Sequence, residues 1–168
     1  MFLKNTNFSE QTAWISVFFC LFIAGYYAIG LSYLTGTFAT NPQEIVWLWI
    51  EVMVVSIVFV IIAFVLLAIY KKKHDADDEI GIIDERDVEI ENKATTLAYF
   101  NINLCIIVLL VHVFSQAIFS GYPFFINVPA VDFLIHGLMF SGLLVEFILR
   151  ATQIYRYRKA ASLGESYE

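Results

Sequence analysis

From Val52 to Ile69 the chain runs without a single charge, VMVVSIVFVIIAFVLLAI, and Lys71, Lys72 and Lys73 follow almost at once. In water so many β-branched residues would favour a strand. At about 1.5 Å per residue, however, this run spans a bilayer's hydrocarbon core as a helix. In lipid a segment must satisfy its own backbone groups, so the helix wins. The rest of the composition agrees: 60% of the residues are hydrophobic, 15% are charged and the mean hydropathy is +0.73, too apolar for an ordinary soluble globule.

Three further runs have the same character, and the sequence predicts spans at about 13–34, 44–70, 95–119 and 131–150. The expected fold is all-α: an integral membrane four-helix bundle forming one domain over residues 1–168. The first run is too long for a signal-peptide core and has no cleavage-like site after it. Within it Ala24 and Ala28 form a small-xxx-small pair suited to close helix packing. Gly36, Asn41 and Pro42 mark a loop. Glu44 then opens the second span, with Trp47 and Trp49 at the level of an interfacial aromatic belt. Gly121 and Pro123 end the third, and the aromatic loop GYPFFINVPA lies at the membrane surface.

The basic residues fix an orientation. Lys4, Lys71 to Lys73, Arg86, Lys93, Arg150, Arg156, Arg158 and Lys159 all fall on one side of such a bundle, and neither loop on the other side carries a Lys or Arg. Basic residues stay cytoplasmic, so both termini are expected in the cytoplasm. Residues 71–94 then form a charged cytoplasmic linker and helical neck, and residues 151–168 a cytoplasmic tail. His74 reads as a solvated neighbour of the lysines. The acidic stretch Asp75 to Asp84 lacks the alternating ligands, central Gly and terminal Glu of a calcium loop.

The neck is the most specific part of the chain. Asp84 is a good N-cap, Glu85 and Asp87 complement the helix dipole, and Glu89 with Lys93 is spaced for an ion pair. The third helix should therefore begin in the cytoplasm and extend about 15 Å below the bilayer. Arg150, Arg156 and Arg158 leave the membrane at the same level and are candidate docking partners for its carboxylates. The residues Asp84, Glu85, Arg86, Asp87, Ile90, Lys93 and Ala94 make the pattern DERD-x-x-I-x-x-K-A. That pattern resembles a family of small bacterial four-helix inner-membrane proteins of uncharacterised function, in which it leads into the third span. The resemblance implies residence in the bacterial inner membrane and a cytoplasmic interaction motif. Because some members are encoded beside small helix-turn-helix regulators, it also implies a sensory or regulatory role; it supplies no catalytic residue.

Enzymatic chemistry finds no support in motifs: there is no G-x-S-x-G, H-E-x-x-H, P-loop or dinucleotide fingerprint. Arg86 inside the acidic neck suits ion pairing better than a magnesium site. The few basic residues are not arranged for direct nucleic-acid binding. Cys20 and Cys105 lie in apolar runs as packing residues. Ionisable groups within the spans are costly in lipid, so Glu51, His112 and His136, at a common depth, are expected to face the interior, with Gln116 and Asp132 one turn above the two histidines. Such a set can be interhelical glue. It can also be a candidate pocket for a proton, a hydrophobic ligand or a transition metal such as zinc, held by Glu51, His112 and His136. Two functions stay open: a non-enzymatic regulator acting on a soluble cytoplasmic partner through the neck and tail, or a small membrane binding or transport protein using the intramembrane pocket. The bilayer, a cytoplasmic regulator and a second copy of the chain are the candidate partners.

Overall fold

The structure, a computed structural model, describes residues 8–35, 42–74, 85–118 and 130–162. The expectations for Asp84 as a cap, for the acidic linker, for both connecting loops and for the last residues of the tail lie outside the described residues. Each described segment is one helix: α1 (Phe8–Thr35), α2 (Pro42–His74), α3 (Glu85–Ile118) and α4 (Ala130–Ser162). All four are long and apolar enough to cross a membrane.

Three helices run past the expected spans, α2 by two residues at its start and four at its end, and for α1 and α4 the reasons are local. α1 begins before the apolar run because its polar first turns have somewhere to go: Glu10, Gln11 and Ala13 are buried. α4 does not stop near Arg150, where the sequence turns polar. It continues because Gln153, Ile154 and Tyr157 recur on one face and bury it. α2 starts on Pro42, whose missing N–H costs nothing at a first helical position.

The helices pack in the order α2, α1, α4, α3, with the main contacts between α1 and α2, α1 and α4, and α3 and α4. Neighbours are antiparallel. Phe19 meets Phe59, with ring centroids 5.4 Å apart, and Gly30 meets Leu48 between α1 and α2. Glu10 meets Arg158 between α1 and α4, and His112 meets Phe133 between α3 and α4. Phe8, His74, Glu85 and Ser162 therefore mark one end of the molecule, called here the charged end.

The core follows a narrow stripe. Along α1 the buried residues Ala13, Val17, Cys20, Ile23, Tyr27 and Leu31 recur every three or four positions, and Ile45, Leu48 and Val52 answer from α2. Most large apolar residues point outward, as suits lipid: Ile57, Ile61 and Leu66 are all exposed. Polar groups on the outer face of α3 are satisfied locally, with Asn101 and Asn103 donating to the carbonyls of Leu97 and Tyr99. Closest approach occurs at glycines rather than at the Ala24/Ala28 pair, since Ala28 is exposed. A Cβ on Gly30 would stand 2.5 Å from Leu48 Cδ1, and one on Gly137 would overlap Leu109 Cδ2. Both cysteines are free thiols, and both line an apolar cleft of about 620 Å³ with Phe133, Gly137 and Phe140.

Candidate functional site

At the charged end, α3 divides its sequence motif between two faces. Asp87, Ile90 and Ala94, spaced by three and four, are buried; Glu85, Glu89 and Lys93 are exposed, with Arg86 between. Ile90 and Ala94 serve close packing. Asp87 is a carboxylate with only 9% of its surface accessible, and burying such a group is costly unless it accepts hydrogen bonds. Tyr157 of α4 donates its phenol proton to Asp87 Oδ1 at 2.8 Å, and Ser9 of α1 donates to Oδ2 at 3.4 Å. One motif residue thus ties three helices together.

A second polar group lies beside it. Glu10, 6% exposed, accepts from the Arg158 guanidinium at 2.7 Å and from the Trp14 indole at 3.4 Å. Arg150 is held on its own helix, by Glu146 at 2.7 Å and Gln153 at 3.2 Å. The neck therefore reaches α4 through Asp87 and Tyr157, while Arg158 serves α1 and Arg150 serves α4. Arg156 lies within electrostatic reach of Glu89, which pairs with Lys93 one turn along α3. Ser9 and Glu10 were not singled out from sequence; Tyr157, which sequence reads as an interfacial ring of the tail, is instead buried, and its spacing from Gln153 and Ile154 is the signal for that.

What remains outward on the neck is acidic. Glu85, Glu89 and Glu91 are exposed together with Val88 and Asn92, and Lys93 is the basic residue among them. The arrangement offers a surface of fixed shape and charge. Its buried members, Asp87 and Tyr157, are occupied with each other rather than poised for chemistry.

Toward the opposite end, His136 and His112 are both buried, at 6% and 0% exposure. The phenol oxygen of Tyr27 is 2.7 Å from His136 Nδ1, and the Trp49 indole donates to the same oxygen at 3.2 Å. Trp49 can only donate, so the phenol oxygen is its acceptor and at the same time the partner of His136 Nδ1. This chain joins α2, α1 and α4, and of the two aromatic-belt tryptophans only Trp47 faces outward. His112 stacks on Phe133 with ring centroids 3.9 Å apart, and Gln116 donates to its Nε2 at 3.2 Å. Asp132 is half-buried.

Glu51 corrects the sequence reading. It is exposed and lies on the α1–α2 side, because α2 packs chiefly on α1 and a shared depth says nothing about direction around the helix axis. Among the described residues no group of three His, Cys, Asp or Glu side chains is placed to hold a metal, so Glu51, His112 and His136 do not form the zinc-type site that their depths allowed. Tyr27, which sequence reasoning passed over, is the residue that engages His136, and Trp49, read from sequence as an interfacial aromatic, donates to its phenol oxygen instead. Comparison with protein-family models, with curated proteins and with solved structures returns no match for this chain.

Proposed function

We propose that the protein is a non-enzymatic regulator or sensor of the bacterial inner membrane, acting on a soluble cytoplasmic partner through its neck and tail. The orientation rests on charge: among the described residues every Lys and Arg lies toward the charged end of the helices, and basic residues stay in the cytoplasm. The third helix then extends below the bilayer as a neck, with both termini on the same side.

The observation that carries the reading is Asp87. A carboxylate buried under Tyr157 and Ser9 fastens the start of α3 to the ends of α1 and α4, so the exposed Glu85 and Glu89, one turn apart, are presented by a packed three-helix unit instead of a loose linker. A surface of fixed geometry loses less conformational entropy on binding than a disordered tail would. Among the described residues the buried histidines belong to no group of three metal-ligating side chains. Their bonds to Tyr27 and Gln116 support the glue reading.

The test uses the full chain in native membranes, solubilised in mild detergent. Replacing Glu85 and Glu89 by Lys together should abolish copurification of a soluble partner and the cellular response, while the protein still accumulates and unfolds like the parent. Retention of both partner and response would refute the assignment to this surface.

A further inference from the structure

On the side away from the charged end, α1 and α2 face each other with matching helical repeats. Tyr26, Gly30 and Tyr33 lie on one face of α1, and Glu44, Trp47, Leu48 and Glu51 lie on one face of α2. Together they line a groove of about 410 Å³, within the range of small-molecule pockets. Its floor depends on Gly30, where a Cβ would stand 2.5 Å from Leu48 Cδ1.

The chemistry of the lining is unusual for a surface facing lipid. It joins two carboxylates, seven residues apart on one helix, to two phenol rings and an indole. Charged groups within spans ordinarily turn toward the protein interior or pair with one another. Here Glu44 and Glu51 are exposed, and among the described residues neither has a salt-bridge partner. Nor is a cation available nearby in sequence, since residues 5–70 contain no Lys or Arg. Glu44 lies in the first turn of α2, where the helix dipole favours a carboxylate, but Glu51 lies two turns in without that support. The groove thus combines carboxylates that have no basic partner with aromatic faces, and aromatic faces attract cations.

We propose that this groove binds a lipophilic organic cation, a quaternary ammonium or phosphonium centre carried on an apolar body. Glu51, the deeper carboxylate, faces the charge; Trp47 and Tyr33 supply aromatic faces; the apolar body lies along Leu48 and Ile29. A cation of this class partitions into the bilayer and enters from the side, which suits a groove open to lipid. A zwitterionic phospholipid is disfavoured, because its phosphate would be brought up against the same two carboxylates. No residue of the charged end lines the groove, and such binding stands apart from the proposed regulatory role.

The experiment is equilibrium binding of tetraphenylphosphonium to the full-length protein in phosphatidylcholine nanodiscs, read by radioligand retention. Saturable binding at one site per chain is expected. Glu51→Gln should weaken it roughly tenfold and Trp47→Ala several-fold, while Glu51→Asp restores most of it. Both side chains are exposed, so the variants should fold, and their unfolding midpoints serve as the check. The uncharged analogue tetraphenylmethane should not compete. Absence of saturable binding, undiminished binding in Glu51→Gln, equal competition by the neutral analogue, or binding seen in detergent and displaced by phosphatidylcholine would each overturn the proposal.

Discussion

The Asp87–Tyr157 bond can be tested as a coupling energy. Tyr157 is 7% exposed and Asp87 9%, so each is shielded from water that might replace a lost partner. A hydrogen bond to a charged group contributes about 1.5–3 kcal/mol, and a buried group left without its partner carries its full desolvation cost. Tyr157→Phe should therefore destabilise by about 2 kcal/mol. Asp87→Ala also releases the longer bond from Ser9 and should cost about 3 kcal/mol. Asp87→Asn keeps an acceptor oxygen and should cost about 1 kcal/mol. Removing both partners leaves no orphan, so the double variant Asp87→Ala/Tyr157→Phe should lose about 3.5 kcal/mol instead of the additive sum, a coupling of about 1.5 kcal/mol. Reversible unfolding in mixed micelles, titrated with a denaturing detergent, measures all four proteins. A coupling below about 0.5 kcal/mol would mean that the two side chains do not meet in the folded protein, and the packed neck would lose its basis.

Other substitutions separate packing from polar glue. Gly137→Val forces a branched side chain into the space of Leu109 and should destabilise by about 1–3 kcal/mol in the same titration, whereas Gly25→Ala, which meets nothing within 4 Å, should cause no loss. Tyr27→Phe removes the hydroxyl shared by Trp49 and His136; a loss of about 1 kcal/mol is expected, with a shift in tryptophan emission as the indole loses its acceptor. His112→Ala, at a fully buried site, should be clearly destabilising, while Glu51→Gln should leave the unfolding midpoint unchanged because Glu51 is exposed. Reporters inserted after Thr40 and after Asn127 should both behave as non-cytoplasmic, and a cytoplasmic signal from either would reverse the orientation.

The four helices were legible in the sequence because span length and hydropathy are properties of a run, and the runs are long. Which way each residue faces was not. In an apolar span nearly every position tolerates lipid, so the stripe Ile45, Leu48 and Val52 that packs on α1 does not stand out from Val46, Ile50 and Met53, which face outward. Glu51 adjoins the buried Val52 yet projects about 100° away from it, and depth alone placed it with histidines that it does not meet. The extensions of α1 and α4 were hidden for the opposite reason. Their polar residues read as solvated ends, and only tertiary contacts such as Glu10 with Arg158 show that they are buried. That a helix starts at the DERD motif was legible in its charge pattern, but the division of the motif into a packing face and an exposed face required the position of α4.

The central claim is that one face of the neck is packed against the protein while the other meets a soluble partner. It is tested most directly by photo-crosslinking from single positions of α3 in native membranes. A crosslinker in place of Ile90 should yield only adducts within the chain, to α1 or α4. One in place of Glu89 should yield an adduct with a soluble protein, lost when Glu85 is changed to Lys. Identical products from the two positions, or only lipid adducts from position 89, would contradict the account.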